Sequence, residues 1–177
     1  MKKIIYYVAT SLDGYISGPK GDISKFAQDG EGVQQYLADL KEFECVIMGR
    51  ATYEFGYQYG LPAGQPAYPN MQHYIFSKSL HFENAHEQVH VMEPKIDEIE
   101  KLKLTSTTDI YLCGGGIFAG WLLENRLIDV LKLKINPIIL GGGTPLFGNS
   151  KTQIITEMTS SKTYSGGLQI NTYQIRY

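Results

Sequence analysis

Hydrophobic and polar positions along this chain follow two periods, and the chain switches between them repeatedly. Residues 3 to 9, dense in Ile, Tyr and Val, predict a buried first strand, and residues 11–19 a loop crossing its end. Val33, Tyr36, Leu37, Leu40 and Phe43 recur at helical spacing and predict an amphipathic helix over 31–43. Glu44 to Met48 reads as a short strand, and Gly49 to Phe55 turns into a second helix start. Three prolines and two glycines between Gly60 and Asn70 mark a loop. Strands follow at His73–Ser77 and Gln88–Met92, then a short helix carrying Ile96, Ile99, Leu102 and Leu104. A strand over 109–113, a glycine triplet and a helix over 117–125 come next, with Trp121 read as core. Residues 129 to 140 predict a long strand, with Pro137 marking an edge or bend. The tail alternates over 153–164 and 168–176 around Ser165-Gly166-Gly167, a hairpin signal. Strands alternating with helices, then antiparallel strands, predict an α/β fold in three layers. Its central sheet is mixed and mostly parallel, with an antiparallel C-terminal hairpin.

Length and composition keep this picture within one domain spanning 1–177. At 177 residues the chain is long enough for a core of its own. A net charge of -2 with no long basic stretch argues against broad binding to nucleic acid or to acidic membranes. No run approaches the roughly 18 apolar residues of a membrane span, and the short apolar stretch after Lys3 does not read as a signal peptide. A cytoplasmic protein is expected. Cys45 and Cys113 each lie in an apolar run and read as small buried hydrophobes. His86 and His90 are four apart, but on a turn and a strand rather than a helix, so no metal site is expected.

The candidate chemistry lies in two strand-to-helix turns. In parallel α/β sheets ligands sit at the carboxyl ends of strands, and both turns fall at such ends. In the first, Val46-Ile47-Met48-Gly49-Arg50-Ala51-Thr52, Arg50 offers a fork of donors suited to phosphate and Thr52 a hydroxyl at a helix start. In the second, Gly114-Gly115-Gly116 precedes Ile117 and Phe118. Glycines there let the backbone approach an anion, and the following helix start offers free N–H groups. The run also fits G-x-G-x-x-A, but no acidic residue ends a next strand about 20 residues on, which disfavours a Rossmann domain. A further triplet, Gly141-Gly142-Gly143, reads either as a second anion nest or as a tight loop leaving an edge strand. Tyr53, Tyr57, Tyr59, Tyr68 and Tyr74 cluster around the Gly/Pro-rich loop, as an aromatic pocket or as core and dimer surface.

These segments resemble the dihydrofolate reductase-like superfamily, and within it a stand-alone reductase of the RibD C-terminal (riboflavin biosynthesis) type. The likeness rests on Ser11-Leu12-Asp13-Gly14-Tyr15-Ile16, the Gly49 turn, Ile110 to Gly116, and Pro137 to Phe147 with its second glycine triplet. The resemblance implies NADPH, held at Gly49, Arg50, Ala51 and Thr52 and at Gly114, Gly115, Gly116, Ile117 and Phe118. It implies that Ser77 and Lys78 meet the adenosine 2′-phosphate, and that Ala9 and Ile16 lie near the nicotinamide. Gly142 and Gly143 become candidates for a phosphorylated substrate. Such relatives are commonly homodimers, which marks strand 129–140 and the C-terminal hairpin as the expected interface.

Two positions depart from the pattern. Folate reductases carry a carboxylate on the first long helix, and the same spacing here lands on Val33. Ile117 stands where some of them have a basic residue. Asp13 is the remaining carboxylate near the expected nicotinamide end, as a substrate contact or proton donor, or simply as the first residue of an Asp-Gly turn. The expected activity is hydride transfer to an imine-like carbon, as in 5-amino-6-(5-phosphoribosylamino)uracil reductase. The alternatives are a pterin-reducing enzyme and a non-catalytic NADPH-binding paralogue on the same scaffold.

Overall fold

The computed structural model describes all residues, 1–177. Its ten strands are β1 (Ile4–Thr10), β2 (Tyr15–Ser17), β3 (Cys45–Gly49), β4 (Gln72–Phe76), β5 (Val89–Met92), β6 (Ile110–Gly114), β7 (Val130–Ile135), β8 (Thr144–Pro145), β9 (Ile155–Thr163) and β10 (Gln169–Arg176). The helices are α1 (Glu31–Leu40), α2 (Arg50–Phe55), α3 (Ile96–Thr105) and α4 (Gly116–Glu124). Eight strands form one sheet in the order β5-β4-β3-β6-β1-β7-β10-β9. All pairings from β5 through to β7 are parallel, and β10 runs antiparallel to both β7 and β9.

The central strands are buried on both faces, which is why they read as unbroken apolar runs rather than alternating ones. On β3, Val46 and Ile47 are fully buried and Cys45 and Met48 nearly so. Side-chain alternation then sends successive residues to opposite layers. Ile4, Tyr6, Ile47, Ile110 and Leu112 pack with Ile99 and Leu102 of α3 and Phe118, Leu122 and Leu123 of α4. Tyr7, Val46, Met48 and Tyr111 pack instead with Leu40 of α1 and Tyr53 of α2. Helices thus cover both faces, giving the expected three layers.

The structure differs from the sequence pattern in four places. β7 ends at Ile135 instead of running to residue 140. The reason is Asn136, 1% exposed, whose side-chain amide donates to the carbonyls of Thr10 and Lys134 and accepts from the Ala27 N–H. Pro137 follows and has no N–H with which to continue the ladder. Second, β2 and β8 form a small sheet of their own, within segments too short and too rich in glycine to read as strands. Third, α1 stops at Leu40 and leaves Leu37 exposed, while Asp39 turns toward the sheet and pairs with Lys132 of β7. Fourth, Trp121 is half-buried rather than core, and so is Cys113. No helix is long and apolar enough to cross a membrane.

Candidate functional site

A cleft of about 820 Å³ opens along the carboxyl ends of β1, β3, β4 and β6. Its floor is made by the two strand-to-helix turns. Between β6 and α4 the chain passes through Gly114, Gly115 and Gly116, and Gly114 has a φ of 136°, a conformation that side chains disfavour. A Cβ on Gly115 would stand 2.8 Å from the Thr52 hydroxyl, and one on Gly116 would run into the carbonyl oxygen of Pro145. Backbone conformation thus favours glycine at Gly114 and packing requires it at Gly116, and the bare backbone of Gly115 and Gly116 faces the cleft. The first helical hydrogen bond is Ala119 N–H to Gly115 C=O, 2.8 Å. The N–H groups of Gly116, Ile117 and Phe118 precede it and have no partner within the helix, and no side chain caps them. That end also carries the positive pole of the helix dipole.

At the first turn Gly49 lies against Phe118, where a Cβ would sit 3.1 Å from the phenylalanine Cβ. Arg50 follows at the cleft rim, its Nε donating to Glu54 (2.7 Å) and an Nη to the Ser79 hydroxyl (3.0 Å). Its side chain is 45% exposed, so this pair is weak and its guanidinium is open to exchange partners. Lys78 also lines the cleft, exposed and without an ion pair. No Asp or Glu lines the cleft at all; its charged residues are Arg50 and Lys78. One wall is aromatic, with Phe76 stacked on Phe118 (4.9 Å) and Phe118 on Trp121 (5.9 Å). The opposite wall is the small β2–β8 sheet, where Ser17 donates to the Thr144 hydroxyl (3.0 Å), together with Ile16 and Ile23.

The structure brings most of the expected residues together in this one cleft: Ile16, Gly49, Arg50, Ala51, Thr52, Lys78 and Gly115 through Phe118. Gly114 lies just behind the lining. Ala9 does not face the cleft, because strand alternation turns Val8 there instead and sends Ala9 to the α1 layer. The Ser77 hydroxyl is turned back on its own loop, accepting from the N–H groups of Ser79 and Leu80.

Asp13 also lies outside the lining. Its two carboxylate oxygens accept the N–H groups of Leu140 (3.0 Å) and Gly141 (2.7 Å), clipping the β1–β2 loop to the loop after β7. The neighbouring Ser11 hydroxyl, then these N–H groups, hold its pKa down to about 2. Gly143 packs against the backbone of Ser17 and Gly18, where a Cβ has no room, and Gly142 faces open space; neither lines the cleft.

Sequence reasoning missed Val8, Phe55, Cys113, Trp121 and Thr144, all of which line the cleft, as does Phe76 of the strand end Phe76-Ser77-Lys78. The i, i+3 spacing of Phe118 and Trp121 was the available signal for the aromatic wall. None of Tyr53, Tyr57, Tyr59, Tyr68 and Tyr74 lines the cleft. Tyr53 is core, and Tyr74 stacks on His90 (4.9 Å). No group of three or more His, Cys, Asp or Glu side chains is placed to hold a metal ion.

With this geometry in hand, comparison with known proteins is direct. Residues 2–170 match the RibD C-terminal domain. The uncharacterized protein YyaP of Bacillus subtilis (strain 168) is 26% identical over 176 residues, covering 94% of this chain and 92% of that protein. Three solved structures share the fold. A Shewanella sp. PV-4 protein named for riboflavin biosynthesis has a TM-score of 0.81 at 24% identity, covering 100% of both chains. A Thermotoga maritima diaminohydroxyphosphoribosylaminopyrimidine deaminase/5-amino-6-(5-phosphoribosylamino)uracil reductase has a TM-score of 0.70 at 14% identity, covering 99% of this chain and 57% of that one. Dihydrofolate reductase from Enterococcus faecalis, complexed with NADP(H) and RAB-propyl, has a TM-score of 0.64 at 18% identity, covering 99% and 97%. The sheet order, the two glycine-bearing strand-to-helix turns and a sequence match over nearly the whole length lead to one assignment: the chain belongs to the RibD C-terminal domain family.

Proposed function

We propose that this chain is an NADPH-dependent reductase resembling 5-amino-6-(5-phosphoribosylamino)uracil reductase, acting on a small heterocyclic substrate. The observation that carries the reading is the charge of the cleft. A groove of about 820 Å³ without a single lining carboxylate, rimmed by Arg50 and Lys78 and ending at the α4 N-terminus, suits an elongated polyanion. The donor set suits the cofactor's phosphates. The N–H groups at Gly116, Ile117 and Phe118 would take its pyrophosphate, and the Arg50 fork and Lys78 ammonium its 2′-phosphate. Thr52 supports Gly115 from below, and Phe76, Phe118 and Trp121 supply an apolar wall. When bound, NADPH supplies a hydride from C4 of its nicotinamide.

The protein's own part is orientation and exclusion of water. Val8, Ile16 and Cys113 close the end of the cleft nearest the sheet. Asp13 acts in this reading by position, holding together the two loops that carry Ile16 and Thr144. The ionisable side chains lining the cleft are Arg50, Lys78 and the Cys113 thiol, whose pKa burial raises. The absence of a cleft carboxylate favours, as a second reading, a paralogue that binds NADPH without turnover. We further propose that the chain is a homodimer through its C-terminal strands.

Fluorescence titration with NADPH and NADH tests the first reading. NADPH is expected to bind more tightly, and Arg50→Ala to weaken it by roughly 10- to 100-fold, the worth of one or more charge-assisted hydrogen bonds. Failure of the wild type to bind either nucleotide overturns the reading. Oxidation of NADPH with a panel of imines, carbonyls and pterins then separates enzyme from paralogue.

A further inference from the structure

β1 and β6 pair only over Ile4–Tyr6 and Ile110–Leu112, although β1 runs on to Thr10 and β6 to Gly114. Beyond Tyr6 the two strands part, and Val8 and Cys113 of the cleft lining stand on either side of the gap. The α1 layer beneath that gap is aromatic. The Tyr36 and Tyr111 hydroxyls are 2.6 Å apart, and the Tyr68 hydroxyl lies 3.4 Å from Cys113 Sγ. The Tyr7 and Tyr36 rings meet edge to face at 4.8 Å.

Two lysines of β7, Lys132 and Lys134, project onto this same layer, being two residues apart on a strand. Lys132 is neutralised. Its Nζ donates to Asp39 Oδ2 (2.7 Å), and Asp39 also accepts from the Tyr7 hydroxyl and the Gln35 amide, so both of its oxygens are engaged. Lys134 is different. It is only 7% exposed, its Nζ lies 4.7 Å from the centre of the Tyr36 ring, and it makes no hydrogen bond or ion pair. Every fully buried side-chain nitrogen and oxygen in the chain has a partner. The Lys134 Nζ therefore keeps an accessible tip. It is paired across the sheet with Ala9, the residue after Val8, so it lies one strand away from the gap.

An ammonium with three donors, stripped of most of its water and given no counter-ion, is costly to maintain in a folded chain. A ring cation–π contact offsets only part of that cost. Lys132 and Asp39 cancel, and Lys162, over the Tyr164 ring, is exposed to solvent, so the layer carries one buried uncompensated positive charge, one strand from the gap between β1 and β6. We propose that Lys134 receives the substrate's negative charge: its ammonium binds an anionic oxygen, a carboxylate or an ionised ring oxygen, of a flat heterocycle held against Tyr36 and Tyr68. This inference rests on the reductase reading for the direction from which the ring meets the cofactor. The binding contact itself does not depend on it. Burial lowers the Lys134 pKa with nothing opposing it, and a bound anion would restore the charged form.

Calorimetric titration with orotate, a flat pyrimidine carboxylate, and with uracil, its neutral counterpart, tests the contact. Both are titrated against cofactor-free and NADP⁺-saturated protein, with wild type, Lys134→Met and Lys134→Arg. Orotate is expected to bind wild type at least about tenfold more tightly than uracil, as one charge-assisted contact allows. Lys134→Met should bring orotate down to the affinity of uracil and leave uracil unchanged, while Lys134→Arg should keep the preference. A urea midpoint and an NADPH titration on each variant separate misfolding and cofactor loss from loss of the anion contact. Equal affinities for orotate and uracil in wild type, including no binding of either, overturn the proposal. So does an orotate preference that survives in folded Lys134→Met. Failure of NADPH to bind wild type would instead overturn the reductase reading, and the cofactor-free titrations would still decide the role of Lys134.

Discussion

Residue chemistry in this chain is set by what stands within a few ångströms, and the glycine turn illustrates it. Gly115 and Gly116 are neighbours with unlike constraints. A methyl on Gly115 meets the tip of Thr52, a side chain that can rotate away, whereas a methyl on Gly116 meets the fixed backbone at Pro145 and Gly148. Gly115→Ala is expected to fold with a nearly unchanged urea midpoint and to bind NADPH more weakly, because the new methyl intrudes where the bare backbone faces the cleft. Gly116→Ala is expected to lose about 1–3 kcal/mol of stability, the usual cost of overpacking, measured by urea unfolding. Lys78→Met should narrow the preference for NADPH over NADH and leave the midpoint unchanged, since Lys78 is exposed and unpaired. Two residue assignments show the limit of sequence at this scale. The resemblance pointed to Ala9, but the pleat turns Val8 to the cleft. Asp13 was read either as a site carboxylate or as a turn residue, and only the fold supplies its partners, Leu140 and Gly141, from far along the chain.

At the scale of elements, periodicity located the strands and helices of the main sheet and failed where polar side chains end or brace them. β7 was expected to run to residue 140, but Asn136 ends it with hydrogen bonds to two separate segments, at Thr10 and Ala27, and one to Lys134 of its own strand. Asn136→Ala leaves the part-buried Ala27 N–H without its acceptor and should cost about 1–3 kcal/mol in urea unfolding. His73 on β4 braces the loop before it. Its Nε2 accepts the Tyr68 N–H, so Nδ1 carries the proton and donates to the Met71 carbonyl. Burial lowers its pKa to about 4 from 6.5. The unfolded chain therefore binds a proton more readily, and the stability His73 contributes is complete above about pH 6.5. It is lost as the pH falls toward 4, by roughly 3 kcal/mol in total. Urea midpoints between pH 7.5 and 4.5 should fall in wild type with a slope that His73→Gln reduces. The β2–β8 sheet, with its few residues, carries no periodic signal, yet it forms a whole wall of the cleft.

The whole molecule presents one unfinished edge. β9 closes the sheet, all nine of its residues are exposed, and Ile155 and Met158 stand at 79% and 53% exposure. A long edge strand that exposes apolar side chains is normally covered. Light scattering is expected to give twice the chain mass of 19.9 kDa, and Ile155→Asp with Met158→Asp to shift the protein toward monomer.

The order of apolar runs and glycine turns in the sequence was enough to determine an α/β chain with a mostly parallel sheet and two anion-suited turns. Those features are local, set by side-chain period and backbone freedom over a handful of residues. The tertiary structure alone decided that both turns share one cleft, that no carboxylate enters it, and that Asp39 neutralises Lys132 but leaves Lys134 without a partner. These depend on strand order and on pairings between residues as far apart as 93 positions, and no local period in a sequence encodes which distant side chains will meet.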